Sequence, residues 1–99
     1  MDAKDYTREF IGSAIRVMSH SNTLFTGVEG EILDETARTF KVRSQGKLKI
    51  IPKATGKFMI TSMGFNLKVQ GNSILMRPEE RLKNLRKILK NENKGDYNN

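Results

Sequence analysis

The sequence predicts a mainly β domain: a small antiparallel barrel with a short helix before it and another helix after it. Three observations carry this. Apolar residues recur with period two through the middle of the chain, small turn residues interrupt them at short intervals, and helical spacing occurs only near the two ends. The chain has 99 residues, enough for one modest core. The domain is expected to span residues 1–91, with residues 92–99 a disordered polar tail.

Residues 5–11 read as the first helix, with Tyr6, Phe10 and Ile11 on its apolar stripe and Gly12 ending it. Ile15 and Val17 alternate with Arg16 in a strand near residues 14–18, and Ser19 to Asn22 form a loop. In the next strand Val28, Gly30 and Ile32 share one face and Glu29 and Glu31 the other. Gly27 and Gly30 bend that strand, and Asp34, Glu35 and Thr36 close its turn. Phe40 and Val42 resume the core face, and Ser44, Gln45 and Gly46 supply a hairpin loop. In the following strand Leu48 and Ile50 are expected inside, with Lys47 and Lys49 outside, until Pro52 stops the ladder. Phe58 and Ile60 begin another strand, residues 62–64 turn it, and Phe65, Leu67 and Val69 return on the core side. Pro78, Glu79 and Glu80 mark the start of the last helix, whose stripe is Leu82, Leu85, Ile88 and Leu89.

The net charge is +7, and its distribution is one-sided. Residues 1–36 hold more acids than bases. Residues 37–77 hold Arg38, Lys41, Arg43, Lys47, Lys49, Lys53, Lys57, Lys68 and Arg77, and no acid. Such a block repels itself, a cost that a polyanion removes. With the inward positions apolar, these bases are expected on the outer surface. They form, with Arg81, the predicted RNA-binding set.

Catalytic chemistry finds little support. Cysteine is absent, which removes thiol nucleophiles, disulfides and zinc–thiolate sites. The single histidine, His20, lies between serines in a loop and reads as a surface residue. Asp34 and Glu35 could ligate magnesium, but a turn aspartate usually serves its own backbone, and residues 37–77 offer no further carboxylate. Gly27 and Gly30 lack the following lysine of a phosphate loop. Phe40, Phe58 and Phe65 all fall on expected core positions, so phosphate and shape contacts should dominate over base stacking. No catalytic residue, metal ligand or cofactor is therefore assigned to the chain. No apolar run has the length of a membrane span, and the N-terminus lacks a signal-peptide core, so a cytoplasmic protein is expected.

Three blocks carry a resemblance: TGVEGEILDETARTFKV at 26–42, IIPK at 50–53 and GNSILMRPEERL at 71–82, preceded by EFIG at 9–12. In this order they resemble the archaeal ribonuclease P protein component 1 family, the Sm-like-barrel subunit shared with the eukaryotic enzyme. Met63–Gly64 departs from the more polar turn of that family. The resemblance implies a non-catalytic subunit of the ribonucleoprotein that removes the 5′ leader from precursor tRNA. The RNA would hold the active site and the magnesium ions, and a companion subunit would carry a zinc ribbon. It also suggests that a basic partner protein docks on Asp5, Tyr6, Glu9, Phe10, Glu29 and Glu31. Two other readings of the basic barrel are a KOW-like ribosomal or translation-associated RNA binder and a protein-interaction adapter.

Overall fold

Six strands form one antiparallel sheet: β1 (Ala14–Ser19), β2 (Glu29–Glu35), β3 (Thr39–Ser44), β4 (Lys47–Pro52), β5 (Lys57–Ser62) and β6 (Phe65–Gln70). Their order across the sheet is β4-β3-β2-β1-β5-β6. The computed structural model describes residues 10–62 and 64–81. Period-two alternation puts Ile15 and Val17, Phe40 and Val42, Phe58 and Ile60, and Leu67 and Val69 on the buried face, with Ile32 and Ile51. Phe10 and Ile74 complete this core. Its centre is aromatic: Phe40 meets Phe58 edge-on at 5.3 Å between ring centroids, and Phe10 lies 6.2 Å from Phe40.

The expected closed barrel is not formed. β4 and β6 are the two edges of an open sheet, and no ladder joins them among the described residues. Pro52 ends β4 without an amide hydrogen, and β6 runs directly into a 3-10 turn, Gly71–Ile74. The gap is spanned by other means. Gly71 lies so close to the Lys53 carbonyl that a Cβ would overlap its oxygen, and the Lys53 ammonium donates to the carbonyls of Ile74 and Met76, each at 3.0 Å.

The flanking helices also need correction. The first was expected over residues 5–11, and residues 1–9 lie outside the described residues. Phe10 is buried, and Ile11 and Gly12 form a turn in which Gly12 has φ +89°. From Pro78 the chain makes one 3-10 turn, Pro78–Glu80, while the stripe from Leu82 to Leu89 lies outside the described residues. Among the described residues no helical run exceeds the four residues of Gly71–Ile74, and no helix is long and apolar enough to cross a membrane.

One strand, β4, and the end of another, β2, present faces opposite to those expected. Gln45 (φ 52°) and Gly46 (φ 76°) make a two-residue hairpin turn, so Ser44 pairs with Lys47, Val42 with Lys49 and Phe40 with Ile51. The inward face of β4 is therefore Lys49 and Ile51, continued by Lys53, and Leu48 and Ile50 are exposed at 61% and 54%. In β2 the register shifts between Ile32 and Asp34. This bulge at Leu33 turns Asp34 outward and Glu35 inward, so Glu35 is a buried strand residue and not part of an exposed turn. Phe65, expected inside, is half exposed at the start of β6. Gly27 precedes β2 and takes φ +86°, while Gly30 sits within β2 where a Cβ would overlap the Arg43 carbonyl of β3.

Gly30→Ala should therefore force β2 and β3 apart locally. The expected loss is about 1–3 kcal/mol of stability, the usual range for overpacking, read from the urea midpoint. An unchanged midpoint would show that the two strands have room to separate there.

Candidate nucleic-acid interface

Beneath the corner joining β2, β3 and β4 lies a buried ionic cluster. The side chains of Glu35, Lys53 and Arg81 are fully inaccessible. Lys53 Nζ donates to Glu35 Oε2 at 2.7 Å. Arg81 binds the same carboxylate through both terminal nitrogens, Nη2 reaching Oε1 at 3.1 Å and Nη1 bonding to Oε2. Lys53 also faces the Phe40 ring at 5.2 Å, and the Arg81 guanidinium lies 4.1 Å from the Phe10 ring centroid. The three acceptors around Lys53 require all three protons of an ammonium. Two cations thus share one carboxylate. Burial pushes the Lys53 pKa below its ordinary value of 10.5; the hydrogen bond and charge of Glu35 raise it, and the charge of Arg81 lowers it further.

Lys53 and Arg81, expected at the RNA surface, are therefore structural. Alternation with Leu48 and Ile50 inside would put Lys53 on the outer face, and that is the alternation β4 does not adopt. The two-residue turn at Gln45–Gly46 carried the contrary signal, since it places Lys49 opposite inward Val42 and hence Lys53 two steps beyond Ile51.

The remaining predicted bases divide into two sets. On the outer face Arg43 Nη2 lies 2.7 Å from Glu31, and Arg16 pairs with Glu29 at 3.4 Å. Arg43 and Glu31 consequently belong to one charge-paired face, not to separate RNA and protein faces. Arg38, Lys41, Lys47, Lys57, Lys68 and Arg77 are exposed and Lys49 is half-buried. None of these seven makes an ion pair with another described residue. Of the expected partner-protein residues, Asp5, Tyr6 and Glu9 lie outside the described residues, and Phe10 is buried under Arg81.

Arg38 and Arg77 flank a cleft of about 490 Å³ lined also by Glu35, Thr36, Ala37, Pro78 and Glu79. The β2–β3 corner is held rigid by its own hydrogen bonds. Thr36 Oγ1 accepts from the amides of Arg38 (3.3 Å) and Thr39 (3.0 Å), and the Lys53 amide donates to the Arg38 carbonyl at 2.8 Å. Asp34 accepts from the Glu35 amide at 2.8 Å. Among the described residues no three of His, Cys, Asp and Glu gather as metal ligands.

Residues 4–84 match the family described as Ribonuclease P/MRP, subunit p29. The chain belongs to this family. Ribonuclease P protein component 1 of Thermoplasma volcanium is 39% identical over 85 residues, covering 86% of this chain and 92% of the relative. That of Methanocaldococcus jannaschii is 35% identical over 82 residues, covering 82% and 86%. A solved structure described as Mth11, a homologue of human RNase P protein Rpp29, superposes with a TM-score of 0.58 at 29% identity. It covers 75% of this chain and 97% of that one. The sequence blocks that resemble the family each supply one member of the buried cluster: Glu35 from the first, Lys53 from the second and Arg81 from the third.

Removing the shared carboxylate leaves two buried cations facing each other. Glu35→Ala should cost about 3–5 kcal/mol, as breaking a buried pair does, whereas Lys53→Met keeps the Glu35–Arg81 pair and should cost less. Equal losses would show that the cluster is not organised around Glu35. Because the folded Lys53 pKa lies below the unfolded one, the unfolded chain holds that proton more tightly. The Lys53 contribution is then least favourable at neutral pH and gains as pH rises toward 10.5. Urea midpoints should therefore move in favour of the wild type over Lys53→Met between pH 7 and 10, and a constant difference would contradict the lowered pKa.

Proposed function

We infer that this chain is an RNA-binding, non-catalytic protein subunit of ribonuclease P. It acts with the catalytic RNA in removing the 5′ leader from precursor tRNA. The observation that carries this reading is family membership across residues 4–84, joined to exposed bases that no described acid neutralises. The protein's contribution is electrostatic: cations on a rigid sheet replace the diffuse counterions that the RNA would otherwise require. The RNA-facing set is Arg38, Lys41, Lys47, Lys57, Lys68 and Arg77, with Lys49 at its margin. Magnesium belongs to the RNA subunit in this scheme. A companion subunit carrying a zinc ribbon docks against the charge-paired face at Glu29 and Glu31.

Reconstitution tests the reading directly. Adding the protein to cognate ribonuclease P RNA and companion subunits should raise precursor-tRNA cleavage at limiting magnesium. No change in cleavage and no protection of the RNA in a footprint would reject it. Charge reversal at Lys41, Lys57 and Lys68 should weaken RNA binding and reduce the salt slope by about one unit per lost phosphate contact. An undiminished slope would remove those lysines from the interface.

A further inference from the structure

We propose that the cleft between the β2–β3 corner and the segment Arg77–Glu79 is a discrete phosphate seat, in which Arg38 and Arg77 grip a single backbone phosphate of the RNA. The proposal rests on the RNA-binding reading above and sharpens it from a diffuse basic surface to one defined site.

Three features converge there. First, the cleft is lined by arginines from two separate parts of the chain, and arginine carries the group suited to forked hydrogen bonding with phosphate oxygens. Neither Arg38 nor Arg77 forms an ion pair with a described acid. Second, Glu35, which also borders the cleft, has a fully buried carboxylate bound by Lys53 and Arg81, so it does not face an entering anion as an exposed charge. Glu79 also lines the cleft, and its negative charge favours an anion seated toward Arg38 and Arg77.

Third, the two walls are held in place by the same cluster. Arg38 is fixed by the corner hydrogen bonds and by the Lys53 amide on its carbonyl. Arg77 is bracketed by Met76, whose carbonyl accepts from Lys53 Nζ, and Arg81, whose guanidinium binds Glu35. These bonds fix the backbone that carries both arginines before the phosphate arrives, which lowers the ordering cost of binding.

A double-substitution cycle in full-length protein separates one shared phosphate from two independent ones. Arg38→Gln and Arg77→Gln alter exposed side chains, so folding should be unaffected, which the urea midpoint checks. Each should lose roughly tenfold in affinity for cognate ribonuclease P RNA, as expected for a lost charged hydrogen bond. The double variant should lose little more than the worse single variant, because both groups serve one phosphate. Multiplied losses would mean independent contacts and would overturn the shared seat. Wild-type affinity in both single variants, alongside weakened binding on charge reversal at Lys41, Lys57 and Lys68, would reject the cleft while leaving the RNA-binding reading intact.

Inorganic phosphate titrated into isolated protein gives a second readout that needs no RNA. Saturable shifts should appear at the Arg38 and Arg77 side-chain Nε–H signals and be lost at both in Arg38→Gln. Shifts scattered over the surface lysines without saturation at the cleft would count against the seat. Intact RNA affinity with impaired incorporation of companion proteins would assign the cleft to a partner's carboxylate and overturn the proposal.

Discussion

One carboxylate holds this small fold together across its open side. Glu35 ends β2, Lys53 follows β4 and Arg81 closes the segment after β6, so three distant parts of the chain meet at one pair of oxygens. The meeting substitutes for the missing ladder between β4 and β6. A strand ladder would require backbone donors along the whole edge, and Pro52 lacks one. An ammonium placed among a carboxylate and two carbonyls needs only a single well-aimed side chain.

The cost of burying three charges is offset in two ways. Every strong donor of Lys53 has an acceptor, and the aromatic rings of Phe10 and Phe40 cover the cations. Such clusters tolerate little change, because any one member stripped of its partners is an unpaired buried charge. The same demand orders the surface above. The corner bearing Arg38 and the segment bearing Arg77 are positioned by the cluster, which links stability of the core to geometry of the basic surface.

Much of the β structure was legible. Ile15, Val17, Phe40, Val42, Phe58, Ile60, Leu67 and Val69 are inside as their alternation indicates, since a half-buried strand must separate apolar from polar side chains every second residue. The faces of β4 and the end of β2 were not legible from alternation. In the run KLKIIPK two registers compete, and the apolar count favours the one that the hairpin forbids. In β2 one extra residue at Leu33 inverts the face of everything after it. The functional set suffered accordingly: a list of ten bases lost Lys53 and Arg81 to the core and Arg43 to an ion pair with Glu31.

Composition and order alone determined that the protein is a small, basic, mainly β binder of RNA without a recognisable catalytic constellation, and three motif blocks were enough to indicate its family. Those properties depend on residue type and local spacing, which one dimension contains. Whether the sheet closes, which lysine is buried and which two arginines share a cleft depend on turns and bulges that set register, and on residues far apart in the chain competing for one carboxylate. Only the folded chain decides these, because the energy of a buried charge depends on every group that surrounds it.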